Sequence, residues 1–125
     1  MPLVTISVRR GFSEEEKQAI SEGIHRSLVE EIGIPDTDFN HRILELDAAH
    51  WHLPPGRSER FVCVEVRMYP GRTVEMKKAF YRSVLRALRA FRVAAGDVLV
   101  ILDEPPKDNW SVAFAAELER ERKDT

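Results

Sequence analysis

Two short stretches of the chain alternate between apolar and polar residues, and each is followed by a helical pattern. In residues 3–8 and 62–68, apolar residues recur at every second position, which is typical of a β-strand with one buried face. Apolar residues then recur at every third or fourth position over about 14–32 and 74–91, which predicts two amphipathic helices. A second strand is predicted after each helix, near 39–46 and 98–102.

The turns between each first strand and its helix carry matching residues. Gly11 and Gly71 allow a sharp turn out of the strand. Ser13 and Thr73 follow, and both residue types cap helix N-termini, here with acidic residues in the first turn. Gly33 predicts the end of the first helix.

An offset of 60 residues superimposes the two halves, apolar positions included. The polar and small matched pairs are Gly11/Gly71, Ser13/Thr73, Glu15/Glu75, Lys17/Lys77 and Ala19/Ala79. The chain is therefore predicted to be a duplicated β-α-β unit of the α+β class, with a four-stranded mixed sheet and two helices on one face. We expect a single domain over 1–125, with repeat halves at about 1–46 and 61–104, a linker at 47–60 and a C-terminal segment at 105–125. Because the second face of the sheet also needs cover, oligomerisation is expected.

Composition argues against nucleic-acid and membrane partners. Hydrophobic residues make up 43% of the chain, charged residues 32%, and the formal net charge is −2. No apolar run approaches the roughly 18–20 residues of a membrane span, and the N-terminal alternation is unlike a signal peptide. The only cysteine, Cys63, is expected to be a small sheet residue and not a nucleophile, which suits a reducing cytoplasmic location.

The histidines give little indication of a metal site. His50 and His52 are two residues apart in the linker, with no obvious third ligand, so no metal is expected. His25 lies within the first predicted helix and is expected to be on the surface.

Three segments together resemble the tautomerase superfamily. The chain opens Met1-Pro2-Leu3-Val4, the second turn reads Gly71-Arg72-Thr73-Val74-Glu75-Met76-Lys77, and Asp108-Asn109-Trp110-Ser111 follows the last strand. The resemblance covers about residues 1–116 and is closest to the malonate semialdehyde decarboxylase group. It implies a homotrimeric, cofactor-independent enzyme that acts on a small carbonyl or carboxylate compound through an amino-terminal proline.

The expected catalytic group is the ring nitrogen of Pro2. Removal of Met1 would turn it into a free secondary amine, and an ordinary α-amino group titrates near ~7.7–8.0. Burial and neighbouring cations lower the pKa of such an amine. A pKa near neutrality suits a general base, whereas a higher pKa leaves an ammonium that acts as an acid. Both roles stay open, and retention of Met1 would make the nitrogen an amide and remove the mechanism.

Arginines near the second turn are the candidate anion ligands. Arg72 occupies the arginine position of the family motif, and a guanidinium can hold a carboxylate through two hydrogen bonds. Phe12 replaces this arginine in the first half, so only one copy of the turn can serve. Arg67 could be a second anion ligand or, equally, part of an ion pair at a subunit interface. The turn holds one arginine where the decarboxylases have two, which weakens the expectation of decarboxylation.

Two further residues are matched to the family. Asp38 corresponds to the catalytic aspartate of the decarboxylase group, where it could orient water or bind Pro2, or it could simply form a turn. Trp110 corresponds to the aromatic wall beside the proline, which is compatible with the usual place of a lone tryptophan in a core or an interface.

Three functions are therefore considered. The leading one is a tautomerase-type enzyme on a small oxo acid or unsaturated carboxylate, with hydration or decarboxylation as related activities. The second is a catalytically weakened trimer with the same fold that serves as a binding or structural module. The third is a generic ferredoxin-like ligand-binding domain, in which blocking the N-terminus would change nothing.

Overall fold

The computed structural model describes residues 1–124 and contains four strands and three α-helices. The strands are Leu3–Arg9 (β1), His41–Leu46 (β2), Val62–Arg67 (β3) and Val98–Asp103 (β4). The α-helices are Glu14–Ser27 (α1), Val74–Arg89 (α2) and Ser111–Asp124 (α3). Thr125, the last residue of the predicted C-terminal segment, lies outside the described residues.

The four strands form one mixed sheet in the order β2-β1-β3-β4. β1 pairs with β2 in parallel and with β3 antiparallel, while β3 pairs with β4 in parallel. Each half is thus a strand, a crossover helix and a parallel strand, and the two first strands meet at the centre of the sheet. This arrangement confirms the predicted α+β fold with a four-stranded mixed sheet.

The core lies between the inner face of the sheet and helices α1 and α2. Alternate residues of both central strands are fully buried, as the period-2 pattern predicts. On the helices, the buried positions are spaced by three or four residues. The central buried side chains are Val4, Ile6, Val8, Val62, Val64, Val66, Ile20, Ile24, Leu28, Phe80, Val84 and Leu88.

The N-termini of α1 and α2 are capped as predicted. The Ser13 hydroxyl accepts a hydrogen bond from the backbone N–H of Glu16 at 3.0 Å, and the Glu16 carboxylate accepts one from the N–H of Ser13 at 3.0 Å. In the second half, the Thr73 hydroxyl accepts from the N–H of Met76 at 3.1 Å. These bonds satisfy donors that a helix N-terminus leaves unpaired.

The first helical segment ends differently from the prediction. The α-helix stops at Ser27, and Leu28–Ile32 continues it as a single π-helical turn. The N–H of Gly33 closes that turn on the carbonyl of Leu28 at 2.9 Å, and Gly33 takes a left-handed conformation with φ of 82°. A π turn keeps the helical spacing of apolar residues, so periodicity alone predicted one continuous helix.

The outer face of the sheet is partly apolar and uncovered in the single chain. Leu44, Leu99 and Ile101 are each more than two-fifths exposed. Cys63 also lies on this face but is buried, and burial raises the pKa of its thiol. Such a surface is typical of a face that another subunit covers.

Helix α3 extends the chain beyond the duplicated unit. Its apolar residues, which include Phe114 and Leu118, are largely exposed, and the end of the helix is highly charged. None of the helices in residues 1–124 combines the length and the apolar content needed to cross a membrane.

Candidate active site

The topology brings the start of β1 to the same end of the sheet as three loops. β1 and β2 are parallel, so the segment before His41 lies beside the chain start, and the N–H of Val4 donates to the carbonyl of Asn40 at 3.0 Å. β3 is antiparallel to β1 and pairs Arg67 with Leu3, so β3 ends at this same edge. The Gly71 turn and the segment after β4 therefore leave the sheet close to Pro2.

Asp38 lies against the N-terminal amine. Its Oδ2 atom accepts a hydrogen bond from the Met1 ammonium at 3.0 Å, and the two side chains are only 27% and 38% exposed. The N–H of Asp38 donates to the carbonyl of Pro35 at 3.0 Å, which closes a turn between the first helical segment and β2. Pro2 itself is buried. The contact of Asp38 is thus made with the amine of Met1, one residue before Pro2.

Arg72 connects the two halves of the chain. Its Nε atom donates to the carbonyl oxygen of Ile32, at the end of the π turn, at 3.3 Å. The side chain is half-buried, and it follows Gly71, whose φ of 123° favours glycine. Because Ile32 begins the segment that leads to Asp38, this bond directs the guanidinium toward the same end of the sheet.

Trp110 packs on the residue that starts the second turn. Its ring meets the Tyr69 ring edge to face, with centroids 5.4 Å apart, and its Nε1 donates to the carbonyl of Pro105 at 3.2 Å. The Lys107 ammonium lies 5.5 Å from the centroid of the Tyr69 ring. Trp110 is therefore held beside the turn that carries Arg72.

Arg67 lies on the outer face of the sheet, away from the helices. It pairs with Asp103 of the neighbouring strand, with 3.4 Å between Nε and Oδ2, and both side chains are more than half exposed. The structure does not bring it into contact with Asp38 or Arg72 within the described residues.

His25 is buried, so the prediction that it lies on the surface was wrong. It is 2% exposed, and its ring stacks on Phe39 with 4.1 Å between centroids. Its Nε2 atom lies 2.9 Å from the carbonyl oxygen of Asp36. The segment after α1 folds back over this helix, which a helical pattern read in isolation does not reveal.

His41 completes a ring cluster on the inner side of the same segment. Its Nδ1 lies 2.9 Å from the Ser21 hydroxyl, and the centroid of its ring is 4.6 Å from that of the Phe39 ring. Burial, with a smaller contribution from neighbouring His25, lowers the pKa of His41 to about 4. His41 is therefore neutral at physiological pH.

The equivalent place in the other half of the repeat is filled by a different arginine. Arg60 lies with its guanidinium carbon 3.8 Å from the centroid of the Phe12 ring and donates to the carbonyl of Phe91. With the 60-residue offset, Phe12 corresponds to Arg72, and Phe91 is one residue from the match of Ile32. Arg60 also pairs with Glu16 at 2.8 Å. The two turns of the repeat thus have different chemistry.

The chain is a small protein made of a duplicated β-α-β unit, and its polar residues Asp38 and Arg72 lie at the end of the sheet where β1 starts. Two family models, both described as tautomerase enzyme, match residues 38–113 and residues 2–58. The probable tautomerase YusQ of Bacillus subtilis (strain 168) is 31% identical over 117 residues, which are 89% of this chain and 92% of that protein. The chain therefore belongs to the tautomerase family.

Solved structures agree with this assignment. The structure of FG41 malonate semialdehyde decarboxylase inhibited by 3-bromopropiolate is 28% identical, with a TM-score of 0.80 over 87% of both chains. A wild-type symmetric trimer of fused 4-OT is 25% identical, with a TM-score of 0.77 over 86% of this chain and 89% of that one. The predicted resemblance to the superfamily and to its malonate semialdehyde decarboxylase-like group is confirmed.

Proposed function

We propose that this protein is a cofactor-independent tautomerase that moves a proton on a small oxo acid or unsaturated carboxylate. The observation that carries the proposal is that Asp38 contacts the amine of Met1, one residue before Pro2, at the end of the sheet that also holds the turn of Arg72 and Trp110. In the mature protein, Met1 is removed and the ring nitrogen of Pro2 becomes the terminal amine.

Pro2 is the proton carrier in this proposal. Pro2 is buried and directly precedes the central strand β1, so the ring has little freedom and its lone pair keeps one direction relative to the site. Burial favours the neutral amine, which can accept a proton, while Asp38 favours the ammonium, which can return it. The opposed influences suit a group that both removes and delivers a proton in one keto–enol cycle.

Arg72 is the proposed anion ligand. Its Nε donates to the Ile32 carbonyl, which leaves the two terminal nitrogens of the fork for a substrate carboxylate or a developing enolate oxygen. A positive group fixed before the reaction stabilises the negative charge of the enolate without reorganisation. Trp110 would provide an apolar wall, and Arg67 stays a second candidate ligand for an extended substrate.

Asp38 is proposed to orient the amine, and also a water molecule where the reaction is a hydration or decarboxylation. The similarity to malonate semialdehyde decarboxylases supports that extension. The single arginine of the Gly71 turn supports it less, because a substrate with a carboxylate and a separate carbonyl needs two anchoring points.

We also propose a homotrimer. A fused 4-OT of the same fold is described as a trimer, and the outer face of this sheet leaves Leu44, Leu99 and Ile101 exposed. Burial of such a patch between copies would stabilise the assembly in proportion to the apolar area removed from water.

A second candidate function is a trimeric module with a weakened site. The replacement of the first-half arginine by Phe12, and its stacking under Arg60, favour it because half of the duplicated chemistry is absent. This candidate requires the fold and the assembly but not the free amine.

The deciding experiment is an assay of phenylpyruvate enol–keto conversion with the wild type and Pro2→Ala, after intact mass spectrometry on both. Alanine at position 2 also allows methionine removal, so the variant keeps a terminal amine but loses the rigid ring. We expect a loss of kcat/KM of roughly 10²-fold or more. Equal activity of both proteins, or a retained Met1 in an active protein, contradicts the proposal, and inactivity of the wild type on a panel of oxo and unsaturated acids favours the module.

A further inference from the structure

The turn that carries Asp38 is attached to α1 through aromatic rings. The His25 ring stacks on the Phe39 ring with 4.1 Å between centroids and 19° between planes. The Phe39 ring also lies beside the His41 ring, with 4.6 Å between centroids. Because His25 is on α1 and Phe39 directly follows Asp38, the stack ties the residue after the carboxylate to the helix.

Asp36, two residues before Asp38, is tied to the same histidine by hydrogen bonds. His25 Nε2 lies 2.9 Å from the carbonyl oxygen of Asp36 and 3.1 Å from its Oδ1 atom. A carbonyl oxygen can only accept, so Nε2 must carry the hydrogen. Nδ1 is buried without a partner in the part of the chain that the structure describes. The ring orientation is therefore set by Nε2 and by the stack on Phe39.

Asp38 is thus held on both sides. Its own N–H donates to Pro35 at 3.0 Å, and the carbonyl of Asn40 accepts from β1 at 3.0 Å. Between these fixed points its Oδ2 atom lies 3.0 Å from the amine of Met1, one residue before the Pro2 nitrogen that becomes terminal in the proposed mature protein. Moving residues 36 and 39 away from α1 would move the carboxylate with them.

We propose that His25 is a positioning residue, which holds Asp38 against the N-terminal amine without touching the substrate. The kinetic test of this role rests on the proposed function, because it measures a reaction rate. The geometry itself concerns the amine, the carboxylate and the buried ring. A distance change of about 1 Å between catalytic groups can lower a rate up to roughly 100-fold.

Two substitutions of His25 separate its hydrogen bond from its volume. His25→Gln places an amide N–H near the position of Nε2, so it can still donate to the Asp36 carbonyl. His25→Leu fills the space but has no donor. We expect kcat to fall roughly tenfold or more in the leucine variant with KM within about twofold, and the glutamine variant to recover most of kcat.

A readout that does not depend on catalysis is the pKa of the Pro2 amine, followed by ¹⁵N NMR with labelled proline. Asp38→Asn removes the carboxylate charge and is expected to lower this pKa by about one pH unit. His25→Leu should lower it in the same direction, His25→Gln should not, and His25→Leu combined with Asp38→Asn should equal Asp38→Asn alone.

The outcomes distinguish the two proposals. If the amine titrates alike in wild type and His25→Leu but shifts in Asp38→Asn, or if the double variant shows the sum of both effects, the positioning role is wrong. Equal shifts in the leucine and glutamine variants also overturn it, since the hydrogen bond then has no part. If the shifts occur as expected but the wild type has no tautomerase activity, the positioning role stands and the proposed function fails.

Discussion

The Oδ2 atom of Asp38 lies 3.0 Å from the N-terminal nitrogen, although 37 residues separate the two groups in the sequence. The parallel pairing of β1 with β2 produces this contact, because it places the loop before β2 beside the start of the chain. The place of this carboxylate beside the start of the chain therefore depends on how the sheet is assembled.

The pH dependence of catalysis should report the charge of Asp38. On the proposed assignment, the Pro2 ammonium loses a neighbouring carboxylate in Asp38→Asn, so its pKa is expected to fall and the neutral amine to persist to lower pH. We expect the acidic limb of the kcat/KM profile to move down by about one pH unit. The measurement is kcat/KM between pH 5 and 9 with a substrate that does not titrate there. Glu30→Gln, which makes the same kind of change at an exposed carboxylate, is the control, and an unmoved limb in Asp38→Asn would contradict the assignment.

Substrate affinity should depend on the fork geometry of Arg72. Lysine keeps the charge but cannot form paired hydrogen bonds with a carboxylate, so Arg72→Lys should raise KM roughly tenfold. Arg82→Lys, at an exposed position of α2, makes the same chemical change elsewhere and should leave KM unaltered. Steady-state kinetics at one pH would suffice, with thermal melts to show that the lost Ile32 contact has not unfolded the variant. Equal KM in the two variants would exclude Arg72 as the ligand.

Stability at mildly acidic pH should depend on His41. Its pKa is about 4 in the folded protein and 6.5 in an unfolded chain, so only the unfolded state gains a proton as the pH falls through this range. The fold therefore loses stability from pH 6.5 down to about 4, with no further loss from this group below that. Because the ring is partly exposed, we expect a reduced effect of about 1–2 kcal/mol.

The test of His41 is thermal melting of wild type and His41→Asn between pH 7 and pH 5, above the range in which carboxylates titrate. Asparagine can still bond to Ser21 but does not titrate, so the wild type should lose roughly 4–8 °C in Tm that the variant does not lose. Parallel curves for the two proteins would show that His41 is not the group responsible.

Gly23 of α1 lies close to Ala87 of α2. A Cβ atom built there would lie 3.3 Å from the Cβ of Ala87, so alanine requires a small adjustment and a larger side chain has no room. Gly23→Leu should destabilise the protein by about 2–3 kcal/mol, while Glu22→Leu at an exposed position of the same helix should have little effect. Denaturant unfolding of both variants would measure this difference. A stable Gly23→Leu protein would mean that α1 and α2 can move apart without cost.

The sequence predicted the elements of the fold well because the information was local and repeated. Three signals predict the same arrangement: the alternation along β1 and β3, the caps at Ser13 and Thr73, and the 60-residue offset. The π turn was missed because Leu28 and Ile32 are buried in either helical form.

The contacts of the site were harder to predict because they join distant segments. His25 was expected on the surface since a histidine in a helix is polar by type, and only the return of the Asp36 loop over α1 buries it. The stacking of Arg60 on Phe12 likewise depends on how the two halves meet. Pro2 and Arg72 were found through the family resemblance, and their roles stay predictions.

The stacking of Arg60 on Phe12 affects how many labels each chain can take up. Val62 occupies the place that Pro2 has in the first half, and its nitrogen is locked in an internal peptide bond while Arg60 covers the adjoining turn. Sequence duplication has therefore not doubled the number of reactive nitrogens. A reagent that alkylates the proline amine should stop at one equivalent per polypeptide, and a threefold assembly should accept three labels and not six.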